Sequence, residues 1–143
     1  MKVKIKKLCP EAIMPSYQSK SAAGADLYAA NDSEVIIKKG QTVLIKTGIA
    51  MQIPEGYVGL IYARSGLATK IGLAPANKVG VIDSDYRGEI MVALHNHSDS
   101  DAIVSKGERI AQIVIAPYLT AEFEEGELED TERGAGGFGS TGK

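Results

Sequence analysis

The chain has 143 residues, a net charge of −2 and one cysteine, Cys9. This length suits a single domain, the near-neutral charge argues against bulk affinity for nucleic acid or anionic membranes, and one cysteine excludes an internal disulfide. No apolar run approaches the roughly 20 residues of a membrane span, and the basic start lacks the apolar core of a secretion signal. We therefore expect a cytoplasmic protein that contacts neither nucleic acid nor membrane.

Strand signals dominate the chain from its start, where Val3 and Ile5 alternate with lysines. Runs rich in Val, Ile and Tyr follow at 34–37, 42–53, 57–63, 90–96 and 110–115. The turn Pro54-Glu55-Gly56 separates two of them, and only 65–70 favours a turn of helix, with Ser65 as a possible cap. Many short strands with regular turns predict an all-β protein, a jelly-roll-like β barrel.

The composition changes near residue 121, so we predict a β-barrel domain over 1–121 and a separate segment over 122–143. Seven acidic residues lie between Glu122 and Glu132, which is typical of a solvated, extended spacer. Five of the last eleven residues are glycine, and Phe138 is the only aromatic among them. We expect this end of the chain to be a mobile arm.

The glycine-rich arm matches G-x-G-x-x-G twice, but it lacks the preceding strand and following helix that a dinucleotide site needs. A partial P-loop match at its end fails for the same reason. What remains is that glycine amides, helped by Arg133, Ser140 and Thr141, can approach phosphate oxygens closely. The alternative is a terminus without function, although Phe138 favours stacking on a flat ring.

A second candidate for phosphate binding is RSGLATK, residues 64–70, which follows a predicted strand. Arg64 can form paired hydrogen bonds with phosphate oxygens, and Ser65 with the Gly66 amide can donate beside it. The alternative is a capped turn with a solvated arginine.

Two further features could bind a metal ion. Asp26 lies among small residues in AGADLYAA, where it is either a turn-former in a loop or an acid that positions the water ligands of a metal. His95 and His97 share one face of a strand and could ligate a metal directly. No third His or Cys ligand is near them in sequence, and Cys9 is an unsupported candidate, so surface histidines are the alternative.

In GVIDSDYRGE, residues 80–89, an apolar strand runs directly into Asp83 and Asp85. An acid at the border of a low-dielectric core can have a tuned pKa and can hold a water for in-line attack. The alternative is a hairpin with a polar turn, although such a tip would not need Tyr86.

Five segments in this order resemble the motifs of the trimeric dUTPases: AGADLYAA, RSGLATKIGL, VGVIDSDYRGE, GERIAQIVI and RGAGGFGSTGK, spanning residues 23–143. The resemblance implies a jelly-roll-like barrel and the Mg²⁺-dependent hydrolysis of dUTP to dUMP and pyrophosphate by water attack on the α-phosphorus. That activity limits uracil incorporation into DNA and supplies dUMP for dTMP synthesis. It also implies a homotrimer whose active sites combine residues of different subunits.

The resemblance implies roles for single residues. Asp83 matches the general base, and Tyr86 matches the residue that packs on the deoxyribose and excludes a 2′-hydroxyl. The stretch 77–86, which includes Gly80 and Val81, matches a hairpin whose backbone reads uracil, with Asn77 at its rim. Further matches are Asp26 for an acid touching Mg²⁺ through water, Arg64, Ser65, Gly66 and Gln112 for phosphate contacts, and Arg133, Phe138, Gly139, Ser140 and Thr141 for an arm that closes over the nucleotide.

Asp85 belongs to the same motif, where we expect it to brace the tip by hydrogen bonding. Two other functions stay open on this scaffold. A dCTP deaminase relative would need a glutamate near the pyrimidine ring, and Glu89 does not fit that pattern. A non-catalytic nucleotide sensor or partner-binding protein would not need Asp83, Arg64 and the arm to be intact. His95 and His97 have no role in any motif.

Overall fold

The computed structural model describes residues 1–137, and it is built almost entirely from β-strands. The ten strands are β1 (Lys4–Lys7), β2 (Ala25–Tyr28), β3 (Val35–Ile37), β4 (Thr42–Gln52), β5 (Tyr57–Tyr62), β6 (Leu73–Pro75), β7 (Gly80–Ile82), β8 (Glu89–Asn96), β9 (Ala102–Val104) and β10 (Arg109–Pro117). A short π-helical segment, Leu67–Ile71, lies between β5 and β6. The long strands coincide with the Val- and Ile-rich runs of the sequence.

The strands form three antiparallel sheets. The first sheet has the order β1-β4-β8-β6, the second has the order β2-β10-β5-β7, and β3 pairs with β9. Strands that are neighbours in sequence lie in different sheets at several points, as in a jelly roll. The predicted all-β, jelly-roll-like barrel is confirmed.

One hydrophobic core joins the first and second sheets. Along β8 the side chains alternate, so that Ile90, Val92 and Leu94 are buried while Met91 on the opposite face is exposed. The second sheet contributes buried residues from β2, β5 and β10 to the same cluster. This period of two fixes which side chains of each strand remain outside for other uses.

The turn Pro54-Glu55-Gly56 forms where the sequence predicts it, and Gly56 has a φ of 80°. However, the two strands that it joins do not pair with each other, because β4 belongs to the first sheet and β5 to the second. The turn therefore carries the chain from one sheet to the other and starts β5 at that end of the barrel.

The predicted helical turn over 65–70 is confirmed as the π-helical segment, which ends at Gly72 with a φ of 81°. The prediction that Asp26 lies in a loop is wrong. Asp26 lies within β2, pairs with β10 and is buried. Its small neighbours do not mark a turn; they allow this strand to pack closely on the core.

Beyond Pro117 the chain has no strand or helix up to residue 137, and it is exposed up to residue 135. The side chains of Leu119, Phe123 and Leu128 are each more than nine-tenths exposed. This agrees with an extended acidic spacer, whereas the division at residue 121 stays a prediction. No helix within residues 1–137 is long and apolar enough to cross a membrane.

Candidate active site

A carboxylate with two arginines forms the most connected polar group of the second sheet. The Arg64 Nε donates to Asp26 Oδ1 at 2.9 Å, and the Arg109 Nη1 donates to Asp26 Oδ2 at 3.2 Å. The Arg64 Nη1 also donates to the Arg109 carbonyl oxygen at 3.2 Å. We call Asp26, Arg64 and Arg109 the arginine cluster.

Burial of the arginine cluster decreases outward from its carboxylate. The side chain of Asp26 is 8% exposed, that of Arg64 is 25% exposed and that of Arg109 is 43% exposed. A buried carboxylate is costly unless it is paired, and here each oxygen has a cationic donor. The cluster carries one net positive charge at the surface, which suits an anionic ligand.

Gln112 lies beside the arginine cluster because β10 is the central neighbour of β2 and β5. It is directly opposite Asp26 on one side and Tyr62 on the other, so the three residues share one face of the sheet. Its Nε2 donates to the Ala63 carbonyl oxygen at 2.9 Å. A Cβ at Gly24 would overlap the Gln112 Oε1, so a glycine is required there for the carboxamide to fit.

The turn after β5 presents Ser65 and Gly66 to solvent. The first helical hydrogen bond runs from the Ala68 amide to the Arg64 carbonyl at 2.9 Å, so the amides of Ser65 and Gly66 precede it. Gly66 has ordinary helical angles, φ −63° and ψ −42°, and a Cβ there would meet no atom of the described chain within 4 Å. The fold therefore gives no reason for a glycine at this position.

The second candidate region is the loop 83–88, which we call the Asp83 loop. The Tyr86 amide donates to the Asp83 carbonyl at 3.2 Å, and the Tyr86 hydroxyl donates to the Glu89 carbonyl at 3.0 Å. The Arg87 Nη1 donates to the carbonyls of Ser84 and Tyr86 at 2.6 and 3.0 Å. Backbone and side-chain bonds thus hold this loop, within the described residues, without a contribution from the Asp85 carboxylate, contrary to the bracing role expected for it.

The side chain of Asp83 is exposed in the single chain, not at the border of the core as the sequence suggests. It lines a cavity of about 650 Å³ together with Glu55, Asp85, Arg87 and Tyr118. It also lines a smaller one of about 230 Å³ with Leu44, Val81, Tyr86, Glu89 and Met91. Neither cavity includes a residue of the arginine cluster.

The resemblance implies that the stretch 77–86 is a hairpin, but the stretch does not pair with itself. Its strand β7 pairs with β5, and the next strand, β8, pairs with β4 and β6 in the other sheet. Asn77 and Val81 are exposed on either side of buried Gly80, and Lys78 between them has a φ of 65°. The stretch is therefore a largely exposed link between two sheets.

The arginine cluster and the Asp83 loop lie at opposite ends of β5. Ile82 pairs with Gly59, so Asp83 continues beside Val58 near the start of β5, whereas Arg64 follows its end. Six residues of extended chain correspond to about 20 Å. One chain therefore does not bring the proposed base to the proposed phosphate-binding turn.

Only the beginning of the C-terminal arm lies within the described residues. The Arg133 Nε donates to the Gly136 carbonyl at 2.9 Å, and the Gly134 amide donates to the Thr131 carbonyl at 3.0 Å. In this turn the Arg133 side chain therefore contacts the backbone of the arm itself. Phe138, Gly139, Ser140 and Thr141 lie outside the described residues, so their predicted roles stay predictions.

Sequence reasoning missed two contributors to this region, Arg109 and Gly24. Both lie within quoted motifs, Arg109 in GERIAQIVI and Gly24 in AGADLYAA, but the sequence analysis gives neither a role. A signal for Arg109 existed, because a buried aspartate requires a cationic partner. That partner is 83 residues away in sequence, so only the pairing of β2 with β10 identifies it.

The arginine cluster fits a Mg²⁺ site only if oxygen atoms from outside the cluster supply most of the ligands. Within residues 1–137 no group of three or more His, Cys, Asp or Glu side chains could enclose a metal ion. Both Asp26 oxygens already accept from arginines, although a carboxylate has about four acceptor positions in total. Mg²⁺ commonly keeps several waters and binds substrate phosphates with one or two carboxylates, which agrees with a water-mediated role for Asp26.

Comparison with known proteins gives one family. The dUTPase family model matches residues 10–142. The chain is 59% identical to the deoxyuridine 5'-triphosphate nucleotidohydrolase of Nautilia profundicola, and the match covers all of both chains. It also superposes on the Staphylococcus bacteriophage 80alpha dUTPase solved with dUPNHPP, with a TM-score of 0.86, 33% identity and 99% of each chain covered.

A third relative concerns metal binding. A mutant dUTPase from phage phi11 of S. aureus, whose structure shows the coordination of a structural Mg(II) ion, superposes with a TM-score of 0.82 and 26% identity. The superposition covers 92% of this chain and all of that one. Because the family model includes β2, the turn after β5, the Asp83 loop and most of the arm, the chain belongs to the dUTPase family.

Proposed function

We propose that this protein hydrolyses dUTP to dUMP and pyrophosphate, with Asp83 as the general base. The observation that carries the proposal is that the family match spans residues 10–142 and so contains every proposed site residue. The dCTP deaminase relative and the non-catalytic sensor lose support, because the relatives described above are named for dUTP hydrolysis.

In the proposed reaction, Asp83 accepts a proton from the water whose oxygen attacks the α-phosphorus, and pyrophosphate leaves from the opposite side. Proton acceptance by a placed carboxylate contributes about 10²- to 10⁴-fold to such a step. Asp83 is exposed in the single chain, where bulk water competes for it. Burial by a neighbouring chain and the substrate would confine one water between the base and the phosphorus.

Substrate selection is assigned to the stretch 77–86 and to Tyr86. The exposed residues 77–79 and Val81 offer backbone groups for the uracil edge, and Gly80 between them is buried. The Tyr86 ring, fixed by its hydroxyl, packs on the deoxyribose and leaves no space for a 2′-hydroxyl. A steric clash with a thymine methyl and mispaired donors for cytosine then exclude the other pyrimidines.

Phosphate binding is assigned to Arg64, Ser65, Gly66 and Gln112, with Arg133 and the arm residues Phe138, Gly139, Ser140 and Thr141 closing over the nucleotide. The net positive charge of the arginine cluster and the open space at Gly66 support this assignment. Mg²⁺, placed through water by Asp26, would neutralise phosphate charge during the reaction.

We also propose a homotrimer in which each active site takes residues from different subunits. The separation of about 20 Å along β5 between Asp83 and Arg64 supports this, since a nucleotide triphosphate must contact both at once. The exposed segment 118–132 is long enough to carry the arm away from its own barrel. A cytoplasmic location stays a prediction.

The function is tested by measuring pyrophosphate release from dUTP, dCTP, dTTP and UTP with Mg²⁺, together with ammonia release from dCTP. We expect rapid release from dUTP alone. Ammonia from dCTP would instead assign the chain to the deaminases, and nucleotide binding without any product would assign it to the sensors.

The shared site is tested by mixing two inactive variants, Asp83→Asn and Arg64→Ala, under conditions that exchange subunits. If Asp83 and Arg64 of one site come from different chains, about one quarter of the sites in random trimers contain both intact residues. We expect activity to return to about that fraction of wild type. If both residues belonged to one chain, no mixed site would be intact and activity would stay at the level of the separate variants.

A further inference from the structure

His95 and His97 form a close pair outside the proposed active site. His95 lies on the outer face of β8 in the first sheet and His97 directly follows the end of that strand, whereas the arginine cluster lies on the second sheet. Their ring centroids are 4.5 Å apart, and the ring planes make an angle of 64°. The proposed hydrolysis of dUTP uses neither imidazole.

One ring of this pair is fixed by a neighbouring strand. Thr42 lies directly opposite His95 across β4 and β8, and its Oγ1 is 2.8 Å from the His95 Nδ1. The tautomer that donates its hydrogen from Nδ1 to this hydroxyl leaves the lone pair of Nε2 free. Histidines that bind metals commonly have their second nitrogen held in this way.

The backbone between the two histidines is also fixed. The side chain of Asn96 is fully buried and donates to the carbonyls of Ile37 and Ser100, each at 2.8 Å. The His97 amide donates to the Gly72 carbonyl at 2.8 Å. The backbone that carries both rings is therefore already ordered before a ligand binds.

The spacing of the rings matches chelation of one cation. With metal–nitrogen distances of about 2.0–2.1 Å, each ring centroid lies about 3.2 Å from the metal. Two such centroids are about 4.5 Å apart when the nitrogens are cis at a right angle, and about 5.2 Å apart at a tetrahedral angle. The observed 4.5 Å agrees with the cis arrangement of a square-planar or octahedral centre.

We propose that His95 and His97 form a two-imidazole binding site for a divalent transition cation of the Ni²⁺ or Cu²⁺ type. Imidazole suits these cations, and right-angled coordination is their preferred geometry, whereas Mg²⁺ prefers oxygen ligands. Because no third His, Cys, Asp or Glu ligand stands beside the pair within residues 1–137, water completes the coordination. The site is thus distinct in chemistry and position from the proposed Mg²⁺-dependent centre.

The proposal is tested by titrating Ni²⁺ into the untagged full-length chain, stripped of metals and kept in excess Mg²⁺ without nucleotide, and following heat release. We expect one Ni²⁺ per chain, and an affinity that falls at least about tenfold in His95→Gln and in His97→Gln. Thr42→Val, which only releases the His95 ring, should weaken binding by about 10-fold. Cys9→Ser is the matched control and should bind as wild type does.

Electron paramagnetic resonance of the Cu²⁺ complex gives a second measurement that does not depend on affinity. We expect a signal from two equatorial imidazole nitrogens in the wild type and from one in each histidine variant. Unchanged binding and spectra in both histidine variants, or loss of binding in Cys9→Ser, would overturn the site. Both histidine variants should hydrolyse dUTP at the wild-type rate, which separates this proposal from the proposed function.

Discussion

The arginine cluster and the Asp83 loop differ in how much of their chemistry one chain completes. In the arginine cluster the buried Asp26 has a cationic donor on each oxygen, and the residues come from the paired strands β2 and β10 and from the turn after β5. In the Asp83 loop the backbone is held by Tyr86 and Arg87, but the Asp83 carboxylate faces solvent. The arginine cluster is therefore fully paired within one folded chain, whereas the Asp83 carboxylate is not enclosed by other described residues of its chain.

This difference indicates where a second chain is needed. A phosphate-binding region can be preformed, since its buried carboxylate is already paired within the sheet and one net positive charge remains for the ligand. A general base needs confinement from bulk water, which one exposed loop does not provide. We therefore expect changes of the Asp83 carboxylate to affect catalysis alone, and changes in the arginine cluster to affect stability as well.

Asp83→Asn should have the largest effect on activity. Replacing the base removes proton acceptance but keeps the size of the side chain, so turnover of dUTP should fall by about 10²- to 10⁴-fold. Because Asp83 is exposed, the free energy of unfolding should change by no more than about 0.5 kcal/mol. Pyrophosphate release and binding of a non-hydrolysable dUTP analogue measure the two steps separately; wild-type turnover would remove Asp83 from the role of base.

Asp26→Asn should have a large effect on stability, in contrast to Asp83→Asn. The amide loses the charge that binds Arg64 and Arg109 and turns N–H donors toward one of them, which should lower the free energy of unfolding by about 2–4 kcal/mol. Urea denaturation at one fixed protein concentration measures the change, because oligomers gain stability with concentration. Asp83→Asn is the matched control. Equal free energies of unfolding for the two variants would contradict the proposed difference between the arginine cluster and the Asp83 loop.

The sequence predicts the long strands and some of the short ones, such as β3 and β7, but it misses β2. Runs such as 42–53 and 57–63 contain enough Val, Ile and Tyr to mark β4 and β5, whereas β2 has only four residues and one of them is the charged Asp26. Its strand character comes from pairing with β10, which is a tertiary effect. For the same reason Asp26 was expected in a loop.

The candidate site was predictable as a set of residues but not as an arrangement. Motifs in the sequence identify Arg64 and Asp83, yet their placement at opposite ends of β5 follows from the register of β5 with β7. The partnership of Arg109 with Asp26 likewise depends on strand pairing over a long sequence separation. Local sequence contains residue types and spacing, and it does not contain register between distant strands.

Gly66→Ala should separate ligand binding from folding within the phosphate-binding turn. Gly66 has helical angles and free space around its Cβ position, so alanine should leave stability unchanged or raise it by about 0.4–1 kcal/mol. If phosphates approach the Gly66 backbone, the methyl group should raise KM by about tenfold, since small misplacements strongly affect a reacting complex. Steady-state kinetics and thermal unfolding measure these two effects.

Gly24→Ala is the contrasting variant for this test. A Cβ there would overlap the Gln112 carboxamide, so it should lower both stability and activity. An unchanged KM in Gly66→Ala would mean that the substrate does not approach this backbone, and the assignment of the turn to phosphate binding would fail.

The smallest expected effect is that of Tyr86→Phe. The variant loses the hydrogen bond from the hydroxyl to the Glu89 carbonyl, which is worth about 0.5–1.5 kcal/mol at most at this exposed position. The ring remains, so kcat/KM for dUTP should fall only a few-fold while UTP stays excluded. Tyr86→Ala removes the ring and should admit UTP; equal discrimination in the two variants would show that sugar selection comes from the backbone of 77–82 instead of from this side chain.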